Sequence, residues 1–212
     1  MRLSFALVLA CALAAPALAA LPADPEHEKG WEEANKESEF TVFTREAKDG
    51  LREVLLVGDI AAPPSKAFAA VADLEHYKDF MPYTDESKIV GEKDGAKVFY
   101  SLLNPPLVSK RDYLILVTAR PGRDDTDVWR TAWHVDASNA DGKVPLKDGV
   151  VRVSLNDGSW TFTPLDGGKR THVVYYLYTN PGGSIPMWIA NKSNTKALPD
   201  LFAAVKKRAG AK

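Results

Sequence analysis

The sequence has almost no cysteine: one residue, Cys11, in a chain of 212. A disulfide framework and a thiolate metal site each need several cysteines, so both are excluded. The formal net charge is only −1. Binding to nucleic acid depends on many basic residues meeting phosphates, so this near-balance argues against a nucleic-acid partner. After the first 20 residues, no apolar run approaches the roughly 20 residues that span a bilayer.

Recognisable catalytic patterns are also missing. The four histidines are scattered, and none forms the H-x-x-x-H pair typical of a zinc site. There is no G-x-S-x-G nucleophile motif and no glycine-rich phosphate loop. Calcium at Asp124–Asp127 is disfavoured because no downstream glutamate completes a binding loop. We therefore predict no catalytic residues, no metal and no cofactor, and we favour binding over turnover.

The first 19 residues have the pattern of a secretory signal peptide. Arg2 precedes the apolar run Leu3 to Leu13, and Ala17-Leu18-Ala19 fits the small-x-small cleavage rule. Cleavage after Ala19 predicts a periplasmic or secreted protein. Lipidation at Cys11 is the alternative. Residues 20–212 are enough for one domain with its own core, which we expect to be monomeric.

The predicted elements give an α+β fold. Helical stretches flank a long series of strands, and helices at the two ends of an antiparallel sheet are typical of this class. We expect a curved antiparallel sheet wrapped around a long C-terminal helix. The predicted helices are one within Asp24–Lys36, two around Phe68 and Tyr77, and a last one, Ser184–Arg208, that bends or restarts at Pro199. The predicted strands are Phe40–Thr44, Leu51–Ile60, Ser87–Val90, Lys97–Leu103, Arg111–Thr118, Asp127–Val135 and Lys169–Thr179, with a hairpin of Gly149–Leu155 and Ser159–Pro164 turning at Asn156-Asp157-Gly158.

A glycine-rich turn leads into the last predicted helix. Gly182 and Gly183 can adopt backbone angles closed to other residues, so the chain can reverse sharply after a strand. Ser184 is a candidate N-cap, and a proline in the first helical turn, here Pro186, is tolerated. The turn would carry the helix back across the sheet as a lid.

Several strands are apolar on both faces. Tyr113–Val117 and Val173–Tyr178 lack the polar residue at every second position that a sheet with one wet face would show. Two readings stay open: a filled core between sheet and helices, or a concave face that holds an apolar ligand. Aromatic side chains with polar atoms suit an apolar cavity with a few orienting hydrogen bonds.

A charged pair opens the strand that begins at Arg111. Arg111 and Asp112 point to opposite faces, so one of them can point inward. In one interpretation Arg111 pairs with a carboxylate and fixes the preceding loop. In the other, Arg111 meets a ligand headgroup or carbonyl near the mouth of a cavity.

These motifs resemble a known family. The segment Asn180–Asn191 resembles the D-P-G-G-x-I-P-x-W-x-x-N signature that opens the last helix of START domains, the steroidogenic-acute-regulatory-protein-related lipid transfer family. Arg111-Asp112-Tyr113 resembles the family's RDY strand opening, and Asn104–Val108 resembles its gate loop. The resemblance implies a helix-grip fold with one hydrophobic tunnel, gated by the terminal helix and the 104–110 loop. Such proteins bind sterols, phospholipids or related lipids one at a time.

Two positions depart from the family pattern. Asn180 replaces the usual aspartate, so any ionic contact of that turn is lost or becomes a neutral hydrogen bond. Sterol-specific members carry a buried acidic/basic pair on adjacent strands. The matching positions here fall near Phe99 or Tyr100 and near Val117, so that pair is absent and sterol recognition by an ion pair is in doubt.

We interpret the chain as an exported lipid-binding or lipid-transfer protein that holds one sterol, hopanoid or phospholipid and touches membranes transiently. The alternative is a cyclase or hydrolase of hydrophobic substrates on the same fold, which needs His134 or His172 inward beside Asp112 or Asp136. A third class, a chaperone, would show an exposed apolar patch in place of a tunnel. The predicted lipid-binding residues are Tyr100, Arg111, Tyr113, Trp133, His134, Tyr176, Met187, Trp188 and Ile189.

Overall fold

The computed structural model describes residues 22–106, 108–136 and 144–211. The predicted signal peptide, the cleavage site and Cys11 lie outside these residues. Among the described helices, none has the length and apolar character that crossing a membrane requires.

Ten strands of the described residues form a single sheet. They are β1 Glu32–Lys36, β2 Phe40–Glu46, β3 Arg52–Ile60, β4 Thr84–Lys93, β5 Ala96–Leu103, β6 Arg111–Arg120, β7 Trp129–Val135, β8 Val151–Arg152, β9 Leu155–Leu165 and β10 Arg170–Asn180. The strand order across the sheet is β1-β2-β3-β10-β9-β7-β6-β5-β4, and these neighbours pair antiparallel throughout. The two-residue strand β8 pairs with β6 in parallel.

Four α-helices accompany the sheet in the described residues. Two lie between β3 and β4, and two follow β10. They are α1 Pro64–Ala72, α2 Tyr77–Phe80, α3 Met187–Lys196 and α4 Leu198–Arg208. This arrangement confirms the predicted α+β fold, with an antiparallel sheet gripping C-terminal helical structure.

A tight turn joins β4 and β5. Between β4 and β5, Asp94 and Gly95 both have positive φ (50° and 77°). A two-residue hairpin turn of this kind matches the right-handed twist of the strands it joins. Gly182 and Gly183 also have positive φ (66° and 75°), so the prediction that these glycines reverse the chain after β10 is confirmed.

The main core lies between one face of the sheet, called here the inner face, and helices α1 and α4. Side chains at alternate positions of a strand share a face, and Val54, Leu56 and Ile60 of β3 all join this core. Phe202 of α4 contacts the sheet at Gly58. A Cβ there would lie 3.1 Å from the Phe202 ring and 2.8 Å from the Phe40 Cβ. The glycine therefore allows the helix to approach closely.

The N-terminal helix prediction is wrong. The described part of Asp24–Lys36 contains a short 3₁₀ turn, Pro25–His27, and then β1. All five residues of β1 are exposed, so no apolar face holds this segment. β1 is the edge strand, and its backbone pairing with β2 decides its conformation.

The predicted hairpin within residues 149–164 is also wrong. Asn156-Asp157-Gly158 lies inside β9, which runs unbroken and pairs with β10 along its whole length. A dipeptide such as Asp-Gly favours a turn locally, but Gly158 serves a different purpose: a Cβ would lie 2.2 Å from the Trp133 ring. Cross-strand packing therefore overrides the turn signal.

The predicted helix Ser184–Arg208 is two helices. The helix is interrupted at Ala197, and Pro199 lies in the first turn of α4. Proline has no N–H to continue a helix, so it is tolerated there and disrupts a helix interior. The residue at the N-cap of α3 is Pro186, whose carbonyl accepts from the N–H groups of Ile189 and Ala190. The Ser184 capping prediction is therefore wrong.

Candidate functional site

A cavity of about 250 Å³ lies between the inner face of the sheet and the helices; we call it the inner cavity. Its wall is mainly apolar and aromatic. Strands β5, β6, β7, β9 and β10 supply most of it, while Leu201 of α4 and residues of the α1–α2 region close the other side. The principal sheet residues are Phe99, Tyr113, Val117, Trp133, Trp160 and Tyr175.

The Trp133 ring is held against the sheet by its neighbours on β9. Because Gly158 has no side chain, the indole can lie over the β9 backbone. Its Nε1 donates to Asn156 Oδ1 at 3.0 Å. The buried indole N–H is thus satisfied within the wall, as a buried polar group must be, and the ring keeps one orientation.

Two tyrosine side chains supply polar groups to the inner cavity. Burial raises the pKa of Tyr113, although a hydrogen bond with Ser101 opposes that shift. Burial, with a smaller effect of Tyr113, also raises the pKa of Tyr175. Both hydroxyls therefore stay neutral near pH 7. Neutral hydroxyls in an apolar wall can orient a ligand without adding a charge.

A larger space of about 780 Å³, the outer groove, lies beside the inner cavity. Two chain segments form its sides. One belongs to the loop before β6, with Asn104, Pro105 and Pro106 as members; Leu107 of that loop lies outside the described residues. The other is the turn before α3, Gly183–Ile185. The loop is one half of the predicted gate, and the turn leads into the C-terminal helical segment that was predicted as the other half.

Arg111 lines both spaces. Its side chain crosses between the two segments of the groove: Nε donates to the Pro181 carbonyl oxygen at 3.2 Å, and Nη1 donates to the Ser109 carbonyl oxygen. The residue is only 4% exposed, and burial lowers its pKa. A guanidinium nevertheless stays protonated in proteins. A buried positive charge thus sits where the two spaces meet.

No carboxylate among the described residues forms an ion pair with Arg111. The first interpretation of this residue was therefore right about the loop and wrong about its partner, because backbone carbonyls fix the contact. Asp112 points to the opposite, outer face, where its carboxylate binds Arg152 at 2.6 Å (Nε–Oδ1) and 3.0 Å (Nη2–Oδ2).

The structure separates the nine predicted lipid-binding residues into three groups. Arg111, Tyr113 and Trp133 line the inner cavity, and their contact with lipid stays a prediction. Tyr100, His134 and Tyr176 occupy the alternate positions of their strands and do not line it.

The outer-face placement of Tyr100 and Tyr176 is visible in their contacts. The Tyr100 hydroxyl donates to Asp112 at 3.3 Å, and the Tyr176 hydroxyl donates to Glu53 at 2.7 Å. His134 follows inward Trp133 on β7 and therefore points outward. All three corrections concern which face of the strand a side chain occupies. These strands are apolar on both faces, so their sequences do not show which side chains point inward.

Met187, Trp188 and Ile189 begin α3, beside the outer groove. None of them lines the inner cavity. Met187 is 38% exposed and Trp188 is 66% exposed, so these two predicted lipid-binding side chains do not face the inner cavity. Ile185, in the preceding turn, lines the groove instead.

Two hydrogen bonds attach α3 to the β2–β3 turn. The Asn191 Nδ2 donates to the Gly50 carbonyl oxygen at 3.0 Å, and the Arg52 N–H donates to Asn191 Oδ1 at 3.1 Å. At the start of the turn, Asn180 Oδ1 accepts from the Gly182 N–H at 3.0 Å. The prediction that Asn180 supplies a neutral hydrogen bond is confirmed.

The sequence reasoning missed much of the inner wall. Phe99, Trp160 and Tyr175 are buried there without having been chosen as ligand neighbours. Once the β9–β10 pairing is known, Trp160 stands directly opposite Tyr175, and their ring centroids lie 4.4 Å apart. Alternation along the strands identifies the residues that share the inner face with Trp133 only when the pairing register of those strands is known.

The described wall of the inner cavity contains no histidine and no carboxylate. His172 points to the outer face, where Nδ1 contacts Asp59 at 2.9 Å and Nε2 contacts Glu26 at 3.0 Å. The inward histidine–carboxylate pair that the enzyme alternative requires is therefore not formed within residues 22–106, 108–136 and 144–211. The same residues contain no group of three or more metal-ligating side chains.

Known proteins share both the sequence pattern and this architecture. The family model described as "Polyketide cyclase / dehydrase and lipid transport" matches residues 60–206. The phosphatidylcholine transfer protein of Rattus norvegicus is 31% identical over 178 residues, which cover 81% of this chain and 80% of that protein.

Two solved structures show the same fold. A fragment of a STAR-related lipid transfer protein from Xanthomonas axonopodis aligns with a TM-score of 0.73 and 23% identity, covering 85% of this chain and 99% of that chain. Human StAR-related lipid transfer protein 5 aligns with a TM-score of 0.76 and 16% identity, covering 88% and 89% respectively.

Proposed function

The chain belongs to the START-like family of polyketide cyclase/dehydrase and lipid transport proteins, and from that premise we propose that it is an exported, non-catalytic lipid carrier. The observation that carries the proposal is the inner cavity, an apolar space without a histidine or carboxylate in its described wall. Apolar surface removed from water stabilises a complex by roughly 25 cal/mol per Å². A lipid chain therefore needs little more than this wall for affinity.

Transfer requires the ligand to enter and leave. In the proposed cycle, the turn before α3 and the loop Asn104–Lys110 move apart, opening the outer groove towards the inner cavity. Hydrogen bonds of Arg111 and Asn191 hold these segments closed in the resting state. Such gating steps often set the rate of ligand exchange.

A membrane is the proposed partner during opening. Exposed Met187 and Trp188 lie at the start of α3, next to the groove. The same helix carries Lys192 and Lys196 and no acidic residue. Tryptophan beside lysine suits the interface of an anionic bilayer, where the ring sits at headgroup level and the cations meet phosphates.

Native mass spectrometry with lipid extraction, on protein purified from its own compartment, tests the proposal. We expect one lipid per chain, and transfer of a fluorescent lipid between vesicles. A protein that arrives empty and transfers no sterol, hopanoid, phospholipid or single-chain lipid offered would refute the carrier function.

A matched pair of variants ties transfer to the cavity. Val117→Phe fills the inner cavity, whereas Leu116→Phe adds the same ring on the outer face of the same strand. Overpacking costs about 1–3 kcal/mol at either site. Only Val117→Phe should abolish lipid binding; equal binding by both folded variants would mean that the ligand lies elsewhere.

A further inference from the structure

Arg111 is the single charged residue in the described walls of the inner cavity and the outer groove. The remaining described members are apolar side chains, glycines, hydroxyls and amides. No acidic residue of these described walls faces the guanidinium across either space. An ionised group in low dielectric is favoured only when a counter-charge and hydrogen bonds compensate it. Here the described residues supply hydrogen bonds but no counter-charge.

The Arg111 guanidinium has more N–H donors than its described hydrogen bonds use. It carries five N–H groups, and its hydrogen bonds to described residues run from Nε and Nη1 to two neutral carbonyls. The third nitrogen, Nη2, lies beside Gly183: a Cβ built there would be 3.7 Å away. Because Gly183 lacks a side chain, the groove stays open next to Nη2.

The size of the inner cavity limits what can lie beyond the guanidinium. Its volume of about 250 Å³ is below the roughly 300–1,000 Å³ of pockets that hold drug-sized ligands. A single apolar chain fits such a space better than two chains. A ligand with its chain inside therefore places its polar end at Arg111.

We infer that Arg111 is an oxyanion site, and that the carried lipid is a single-chain amphiphile whose carboxylate or phosphate binds this guanidinium. The inference rests on the proposed carrier function. Guanidinium groups bind both oxyanions through charge-assisted, often bidentate hydrogen bonds. Binding would supply the counter-charge that the protein lacks, and it would bridge the two sides of the groove through Arg111.

Dodecyl ligands that differ only in headgroup test the inference on the wild-type chain. Calorimetry below the critical micelle concentration compares laurate, dodecyl phosphate, dodecanol and dodecyltrimethylammonium. We expect at least one oxyanion to bind about 10- to 100-fold more tightly than dodecanol, which is the range of a hydrogen bond to a charged group. The stronger of laurate and dodecyl phosphate identifies the source of the oxyanion. The cation should bind weakest.

Variants connect the preference to one side chain. Arg111→Gln should abolish the headgroup preference: the ratio of oxyanion affinity to dodecanol affinity should fall to about one. The ratio is the readout because loss of the Arg111 hydrogen bonds across the gate would affect binding of both ligands alike. Arg120→Gln is the matched control, since Arg120 is exposed at the other end of β6. If Arg111→Gln does not fold, the wild-type headgroup series decides alone.

The outcomes separate the two proposals. Equal affinity for dodecanol and both oxyanions would overturn the oxyanion site and leave the carrier function standing. Binding of a two-chain phosphate lipid together with rejection of both single-chain oxyanions would overturn the single-chain assignment. If the protein binds no dodecyl ligand and carries no native lipid, both proposals fail.

Discussion

The two C-terminal helices are adjacent in the chain and are held in different ways. In α4, Leu198, Phe202 and Val205 recur at helical spacing and are all buried in the main core. In α3, Met187 and Trp188 are exposed, and two neutral hydrogen bonds of Asn191 attach the helix to the β2–β3 turn. This contrast supports the proposed cycle, in which α4 is the anchor and α3 is the lid. Moving α4 would expose side chains of the main core, whereas the proposed opening of α3 breaks the hydrogen bonds of Asn191.

The largest expected effect comes from removing a core contact of α4. Phe202→Ala removes a ring that packs on Gly58 and lies 5.1 Å from the Phe40 ring, centroid to centroid. Truncating a buried phenylalanine costs about 3–5 kcal/mol. We expect urea unfolding to show this loss. Trp188→Ala in the lid should change stability by no more than about 0.5 kcal/mol, and a comparable loss there would refute the distinction.

Trp188→Ala should act on membrane contact instead. Burial of a large apolar side chain contributes about 1.5–3 kcal/mol, so we expect partitioning onto anionic vesicles to fall by at least about tenfold. Sedimentation with vesicles measures it. Val128→Ala, which trims another exposed apolar side chain in the loop before β7, is the control. Equal losses for the two variants would contradict a specific role of α3.

Loosening the lid should change kinetics more than stability. Asn191→Ala removes both hydrogen bonds to the β2–β3 turn, at a net cost of about 1–2 kcal/mol. We expect faster hydrogen exchange in α3 and severalfold faster lipid transfer, with exchange in α4 unchanged. Thr195→Ala, one turn further along the helix, controls for helix propensity, because the Thr195 hydroxyl donates within the helix, to the Lys192 carbonyl oxygen. Unchanged transfer would show that these bonds do not limit opening.

The smallest expected effect concerns pH. Burial raises the pKa of Asp73, but hydrogen bonds from His76 and from Arg208 of α4 outweigh it and keep the pKa below its ordinary value of 3.8. The ionised carboxylate therefore stabilises the fold above about pH 4, and that contribution is lost as the pH falls through the lowered pKa.

Unfolding measured between neutral and acidic pH tests the sign. Asp73→Asn should flatten the acid side of the stability profile, because the amide does not titrate. Asn191→Ala should leave the slope as it is, since the lid contacts are neutral. If the free energy of unfolding falls equally with acidic pH in the wild type and in Asp73→Asn, the charge of Asp73 does not stabilise its contact with Arg208.

Much of the candidate site could be predicted because its signals are local. The Gly182-Gly183 turn, the start of β6 at Arg111 and the loop beginning at Asn104 follow from residue chemistry over a few positions, and all three meet at the outer groove. The inner wall could not be predicted in the same way. Its sheet residues come from six strands, and their facing depends on register across the sheet.

The sequence by itself determined the α+β order of elements, the reversal after β10 and the apolar stripe of α4, because backbone freedom and periodicity act within a few residues. Only the tertiary structure decided that Trp133 faces inward while His134 faces outward, and that Gly158 makes room for an indole in place of a turn. It also decided that Arg111 is buried beside carbonyls with no acidic partner in the described chain. Those outcomes depend on which distant strand lies opposite, and no local pattern specifies that.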